Sequence, residues 1–534
     1  MRMPAARTLP GLLDEMAERY GERNFVTDQR RRLSYAEFRA EARRLAKGFW
    51  KLGVRRGDKV ALLMGNQAEW LLVDFAVTML GGWLVAVNTW WRARELHHAL
   101  ESSDSSVLVM VDRYLSNDYT AALAELGDLT TSLPLLRHVV ALGEHGAPGA
   151  LPFASLYAIG ADVPDAVIDD AKRAVLPEDT AYLLFTSGST ARAKPVRLVH
   201  RGIIENPHGI GERQHLTERD RMLLPTSVFC ALSCVNGLFA AMTHGASVVM
   251  LFRYDPGEML RAIEEERCTS VYALPNVVLD IYAHPDRHTR DLSSWRTGTC
   301  RPNMMARVAE MGAREMVGGY GLTEGYGHSA ENDGLDPLEK KIRNTGHPLP
   351  NTEIEVVDPA TRRPLPRGTP GEIRMRGYVT PGYYKLPERT AEVLDAEGWF
   401  HTGDLGVIET DDGSLTFLSR IKEMIKTGGI NVAPPDVEEV LHAHPTVQQA
   451  IVVGVPDPDR EEIVAALVVP RPGCAIDRDV LLAHCRAQAA IYKVPRFIKV
   501  VGPAEVPLTD TGKVHREQTK RMLAAEYAAT LAAK

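Results

Sequence analysis

The sequence predicts an α/β chain: a large N-terminal part of helix-flanked sheets, then a smaller α+β unit. Three observations predict it. Apolar strands and amphipathic helices alternate at the lengths of βαβ units through the first third, and again between residues 246 and 274. After about residue 350 the pattern turns to short strands separated by turn residues. From about residue 420 a compact order of helix, strand, strand, helix, strand closes the chain. The 534 residues are 45% hydrophobic and 25% charged, ordinary globular proportions with room for about two to four compact units.

Each element follows from local chemistry. Ser34 and Glu37 form a capping box, and Phe38, Leu45, Phe49 and Leu52 mark one face of the helix behind it. Lys59 to Met64 reads as a buried strand, Trp70 to Leu80 as a helix and Trp83 to Val87 as the next strand. A helix near Glu95 to Leu100 precedes a strand from Ser106 to Val111. The unit recurs as strand Ala246 to Leu251, helix Pro256 to Glu266 and strand Ser270 to Leu274. Antiparallel strands are expected at Glu353 to Asp358, Gly371 to Arg376 and Gly413 to Leu418. The last unit is read as helix Pro434 to His442, strands Val447 to Val455 and Glu462 to Val469, helix Asp477 to Gln488 and strand Phe497 to Val501. The domain boundary falls near 420, giving domains 1–420 and 421–534.

Composition excludes several classes. A net charge of −7 gives no global attraction to nucleic acid or anionic membrane, so any bound anion needs a local site. Six cysteines without zinc spacing read as reduced thiols, and a cytoplasmic enzyme is expected. The most lipid-like stretch, Trp70 to Val87, is interrupted by Asp74 and split by Gly81-Gly82, so it reads as buried helix and strand, not a membrane span. The N-terminus lacks the apolar core of a secretory signal. The oligomeric state is not specified; a homodimer is one option.

The most informative segment runs from Leu184 to Val196. An apolar strand enters a loop in which Thr186, Ser187, Ser189 and Thr190 offer hydroxyl donors, Gly188 permits close backbone approach and Lys194 adds a positive charge. These are features a triphosphate requires, although a Walker A loop is absent and an ordinary Ser/Thr-rich turn is the alternative on local chemistry alone.

In context, Thr186-Ser-Gly-Ser-Thr190 with Lys194 resembles the phosphate loop of the adenylate-forming superfamily. Four further segments are similar to that family's motifs, in its order: Tyr320-Gly-Leu-Thr-Glu324, Thr402-Gly-Asp404, Ser419 to Gly429, and Pro507-Leu-Thr-Asp-Thr-Gly-Lys513. The resemblance covers nearly the whole chain and points to the AMP-forming acyl-CoA and aryl-CoA ligases. It implies a β-barrel-like subdomain within the N-terminal part and a mobile C-terminal domain. It implies ATP and Mg²⁺, with CoA in a second half-reaction, and a small-molecule acid as substrate. Glu324 would hold Mg²⁺, a role a hard carboxylate suits, and Thr323 would touch the α-phosphate. Gly298, Thr299 and Cys300 match the loop along adenine; Gly319, Tyr320 and Gly321 flank them, with Tyr320 stacking on the ring. Asp404 would accept from the ribose hydroxyls, with Arg420 in support. Lys513 would neutralise charge at the α-phosphorus, Lys422 would be the hinge, and Gly428 with Gly429 the acceptor face. The acid pocket would be lined by Phe229, Cys230, Ser233, Asn236, Gly318, Gly325 and Tyr326, with core packing the alternative for the aromatic rings.

The sequence also departs from the family. Ala191 and Pro195 replace glycines of the phosphate loop, Cys230 stands where a histidine is common, and Ile430 where many CoA ligases carry glutamate. Neutral subfamily drift is one reading of these departures and an altered or absent second half-reaction the other, and two rivals stay open. One is an ATP-dependent diazotase that activates nitrite and couples it to an aryl amine. The other is a non-catalytic nucleotide-binding homologue, against which the joint retention of Lys194, Glu324, Asp404, Arg420 and Lys513 argues.

Overall fold

A computed structural model of the chain describes residues 1–143, 147–186, 193–427, 430–457, 460–489, 491–509 and 512–532. The chain divides into two compact units. The first comprises Met1–Ile354, Met375–Phe400 and Asp412–Leu415; the second comprises Glu355–Arg374, His401–Asp411 and the chain from Thr416.

The first unit contains two seven-stranded sheets. One runs in spatial order Glu315–Val317, Thr297–Thr299, Ser270–Tyr272, Arg221–Leu224, Ser247–Met250, Asn24–Thr27, Arg32–Ser34, with only the last pair antiparallel. The other runs Lys194–Val199, Thr180–Thr186, Trp83–Ala86, Lys59–Leu63, Ser105–Val111, His138–Leu142, Leu151–Pro152, with only the first pair antiparallel. Strands in such sheets are covered on both faces, which explains their unbroken apolar runs. The capping box forms as expected, starting helix Tyr35–Lys51. Phe25, Phe38, Phe75 and Phe239 form a chain of ring contacts at centroid distances of 5.0–6.2 Å in the shared core; truncating one such ring to alanine costs about 3–5 kcal/mol.

The apolar stretch at 70–87 becomes helix Ala68–Met79 and strand Trp83–Ala86, and no described helix is long and apolar enough to cross a membrane. No disulfide forms among the described cysteines. Asp74, which interrupts the stretch, is fully buried and accepts a hydrogen bond from the Tyr182 hydroxyl, while its Oδ1 has no partner. Burial pushes this carboxyl up to about 8. The native state therefore keeps a proton that the unfolded chain releases above about pH 4. The native state binds more protons across the window from about pH 4 to about pH 8, so stability falls as pH rises through it. Asp74→Asn, which cannot ionise, is expected to flatten that fall. Thermal melts of both proteins between pH 5 and pH 8 check this; parallel pH slopes would contradict it.

Residues 319–348 add a three-stranded antiparallel sheet of Gly319–Leu322, Gly327–Glu331 and His347–Pro348. A four-stranded sheet, mainly in the second unit, runs Glu353–Val357, Gly371–Arg376, Phe400–Ile408, Leu415–Arg420. The described pairings group these strands as one three-stranded and one four-stranded sheet, joined where Thr345 N–H donates to the Leu415 carbonyl at 2.8 Å and Leu415 N–H to the Gly346 carbonyl at 2.7 Å. The strand expected from Gly413 begins at Leu415, because Gly413 has a φ of 74° and the Ser414 N–H donates to Asp412 Oδ1 at 2.9 Å, making a turn.

The second unit ends in a five-stranded sheet built on the hairpin Val447–Asp457 and Glu461–Pro470. Its period-two pattern serves two cores. Val452, Val464, Ala466 and Val468 face helices Pro434–His442 and Arg478–Gln488; Ile451, Val453, Ile463, Ala465 and Leu467 face helix Arg516–Ala532.

Candidate active site

The candidate residues are divided between the two units. In the first, Thr186 and Lys194 are opposite residues at the neck of an antiparallel hairpin. Ser187, Gly188, Ser189 and Thr190, with Ala191, lie outside the described residues. Pro195 follows Lys194 on an edge strand, where its missing N–H is tolerated, and its carbonyl accepts from Tyr384 N–H at 2.9 Å.

The segment 380–384 is pinned against this strand. Thr380 Oγ1 donates to the Arg197 carbonyl at 2.7 Å, and Arg197 N–H donates to the Gly382 carbonyl at 3.2 Å. This places the Tyr383 ring under Lys194, with Nζ 4.8 Å from its centroid. The Tyr383 hydroxyl donates to Glu324 Oε1 at 2.9 Å. Glu324 is buried in the turn Thr323–Gly325, and its carbonyl accepts from Thr380 N–H at 2.6 Å. Lys194 and Glu324, distant in sequence, thus meet across one tyrosine. Sequence reasoning missed Tyr383; the tyrosine pair after the Pro381-Gly382 turn was its signal.

Tyr383→Phe keeps the ring beneath Lys194 and removes the hydrogen bond to Glu324. Loss of such a bond to a charged group costs about 1.5–3 kcal/mol. Pyrophosphate exchange is expected to drop by roughly 10–100-fold with the melting temperature retained. Exchange at the wild-type rate would show that Tyr383 does not position Glu324.

Gly298 and Thr299 do not lie on a loop. They belong to strand Thr297–Thr299, next to the sheet's edge, and a Cβ on Gly298 would meet the Val271 carbonyl at 2.0 Å, so sheet packing alone requires glycine there. Cys300 leaves the strand's carboxyl end and its N–H donates to the Val317 carbonyl at 3.1 Å. That brings it beside Gly318, Gly319 and Tyr320, which leave the neighbouring strand at the same edge. Burial pushes the Cys300 thiol up to about 12, so it is no thiolate nucleophile near neutral pH. Gly321 and Thr323 continue into the Glu324 turn, and Tyr320 is itself buried.

The order of both sheets reverses at an identifiable strand. Arg221–Leu224 lies between Ser247–Met250 and Ser270–Tyr272, and Lys59–Leu63 lies between Trp83–Ala86 and Ser105–Val111. Ligands of open parallel sheets bind outside the carboxyl ends of strands at such reversals. Asn66 joins the two points: its Nδ2 donates to the Thr226 carbonyl and its Oδ1 accepts from Val228 N–H, both at 2.9 Å. Phe229 and Cys230 follow at once, Phe229 buried and Cys230 half-buried. A π-helix, Leu232–Gly237, then carries Ser233 and Asn236; such turns recur at functional sites. Asn66 was also missed, though a polar residue just past a buried strand is a readable signal.

Other pocket candidates are engaged in packing. The Tyr326 hydroxyl accepts from Val199 N–H at 3.1 Å and its ring is buried. The Asn236 amide donates to the Tyr326 carbonyl at 2.8 Å and accepts from His328 N–H at 3.1 Å. Ser233 Oγ donates to the Thr226 carbonyl at 3.0 Å. Gly325 is buried, and a Cβ there would meet Met375 Cε at 2.5 Å.

In the second unit, Asp404 is buried in strand Phe400–Ile408, with Arg420 Nε 2.8 Å from its Oδ1. The turn is set by Thr402 Oγ1, which donates to the Ile373 carbonyl at 2.6 Å and accepts from Asp404 N–H at 3.1 Å. Lys422 is exposed in the 3₁₀ turn Ile421–Glu423. Gly428 and Gly429, and the Ile430 side chain, lie outside the described residues. Lys513 is exposed on a loop closed by two bonds: Thr509 N–H to the Lys513 carbonyl at 2.6 Å, and Lys513 N–H to Thr509 Oγ1 at 3.2 Å. Arg516 anchors that loop, pairing with Glu438 at 2.7 Å and with Glu423, next to Lys422, at 3.3 Å.

Residues 13–384 match the family model described as AMP-binding enzyme, and residues 436–513 match its C-terminal domain. The chain is 33% identical over 543 residues to the mitochondrial medium-chain acyl-CoA ligase ACSF2 of Danio rerio, covering 97% of this chain and 89% of that one. It is 34% identical over 495 residues to a feruloyl-CoA synthase of Amycolatopsis sp, covering 92% and 94%. Among solved structures it resembles the anthranilate CoA ligase AuaEII in complex with anthranoyl-AMP, with a TM-score of 0.85, 25% identity, and 99% and 100% coverage.

Proposed function

The chain belongs to the AMP-binding enzyme family, and from that premise we propose that it is an AMP-forming ligase joining a small carboxylic acid, fatty or aryl, to CoA. The observation that carries the reading is the contact of Lys194 and Glu324 with one tyrosine, which joins the phosphate-loop lysine to the acid of the second motif.

The residues then divide the work. Lys194 attracts the phosphates at the neck of the Thr186 hairpin. Asp404, oriented by Thr402 and Arg420, accepts from the ribose hydroxyls. Glu324 fits Mg²⁺, since a hard carboxylate beside substrate phosphates is the donor set that ion takes. When bound, the ion neutralises phosphate charge. The acid sits at the paired sheet reversals beside Phe229 and Cys230. A carboxylate oxygen attacks the α-phosphorus, the bond to the bridging oxygen of pyrophosphate breaks, and Lys513 offsets the charge that builds there. In the second half-reaction the CoA sulfur attacks the carbonyl carbon. The bond to the AMP oxygen breaks and the thiol proton is lost. Rotation of a C-terminal domain beginning near 421, about Lys422, would separate the two half-reactions.

A pyrophosphate-release screen over fatty acids, benzoates and cinnamates, each with and without CoA, tests the reading. Acid-dependent release is expected. Release that requires nitrite and an aryl amine, and ignores every acid, would contradict it.

A further inference from the structure

Within the first unit, apart from the motif residues, two helices bring three ligating side chains together. His208 and Glu212 lie four residues apart on helix His200–Arg213 and so share a face, and His244 caps helix Leu238–Thr243. One nitrogen or carboxylate oxygen from each lies within 4.8 Å of the others.

The hydrogen bonds fix how the donors point. His244 is fully buried against the backbone of Gly211, where a Cβ would meet its Cε1 at 2.3 Å. Its Nδ1 is 2.9 Å from the Ala240 carbonyl and 3.2 Å from Thr243 Oγ1, whose own proton goes to the Phe239 carbonyl at 2.7 Å. Both neighbours act as acceptors, so Nδ1 carries a proton. A neutral His244 then aims the Nε2 lone pair at Glu212 Oε1, 2.9 Å away. That arrangement is repulsive unless a cation neutralises it: a second proton on the imidazole, the Met1 ammonium that pairs with the same oxygen, or a metal ion. His208 supplies an independent sign: it is 6% exposed, and its Nε2 is buried without a hydrogen-bond partner. The two imidazoles stack with centroids 4.8 Å apart and planes 20° apart, an arrangement that disfavours charge on both.

We propose that His208, Glu212 and His244 bind a divalent transition-metal ion of the zinc class, with water completing the shell. Two imidazoles and a carboxylate form a zinc donor set, and imidazole donors discriminate against magnesium. The Nδ1–H bond to Ala240 is the kind of support that orients a ligating histidine. Glu212 lies on the exposed side and gives the ion an entry path. It also pairs with the Met1 ammonium, which the ion would displace. Occupied, the site would tie helix His200–Arg213 to the helix that continues from the Leu232–Gly237 π-turn.

The test uses the full chain freed of metal with a chelator, then titrated with Zn²⁺ by calorimetry and followed by thermal melts. One ion per chain is expected, with a raised melting temperature and no displacement by millimolar Mg²⁺. Glu212→Gln and His208→Gln should each weaken binding by at least the ~10–100-fold that loss of a supporting contact costs, and should lose the thermal response. Glu212 is exposed, so Glu212→Gln decides the matter if His208→Gln fails to fold. Absence of zinc binding would leave Glu212 paired with His244 and the Met1 ammonium alone and overturn the proposal. Equal affinity in wild type and Glu212→Gln would also overturn it, by placing the ion elsewhere.

Discussion

Lys513→Ala is expected to slow acyl-adenylate formation by roughly 10²–10³-fold while leaving thioester formation from preformed acyl-AMP near the wild-type rate. The α-phosphorus is attacked, and charge builds on its equatorial oxygens, in the first half-reaction only; in the second the phosphorus forms no new bond and charge builds at the carbonyl and the departing phosphate oxygen. A preorganised ammonium there acts on the transition state, so its loss appears in the rate more than in ATP affinity. The loop should survive the substitution, because its closing bonds use the Lys513 backbone and Thr509. Its anchor, Arg516 on Glu438 and Glu423, is likewise untouched. Pyrophosphate exchange and single-turnover thioester formation, measured side by side, check the split. An equal loss in both would make Lys513 a structural residue.

Asp404→Ala is expected to weaken ATP binding by roughly 10–100-fold, the equivalent of one charge-assisted hydrogen bond of about 1.5–3 kcal/mol. Thr402 Oγ1 holds the Asp404 backbone N–H, and the carboxylate faces Arg420, whose side chain is 51% exposed. Removing Asp404 therefore leaves Arg420 in reach of water, so a folded variant is expected. Calorimetric titration with ATP gives the affinity, and Asp404→Asn separates charge from shape. An unchanged dissociation constant would remove Asp404 from the nucleotide site.

Much of the fold was legible from the sequence because it is locally coded. Alternating apolar runs, the Ser34–Glu37 box and the period-two strands at 447–470 each carry their own signal. The Gly413 boundary was less legible, because an Asp412–Ser414 turn competes with the strand. The motif residues were readable through short spacing on one segment. Tyr383 and Asn66 were harder to read, since each acts by joining segments far apart in sequence: Lys194 to Glu324, and the end of one sheet to Thr226–Val228. Gly298 was read for a nucleotide role, but crowding against Val271 already demands a glycine there. His208, Glu212 and His244 have no shared spacing in the sequence; the pairing of two helices brings them together.

The central claim is that a carboxylate oxygen attacks the α-phosphorus of ATP. It is tested most directly with an acid substrate labelled with ¹⁸O in both carboxyl oxygens, incubated with ATP, Mg²⁺ and CoA. Attack by carboxylate followed by thiol displacement leaves one labelled oxygen in AMP and one in the thioester, and mass spectrometry of both products is predicted to show that partition. Unlabelled AMP, or ADP as the nucleotide product, would contradict the account.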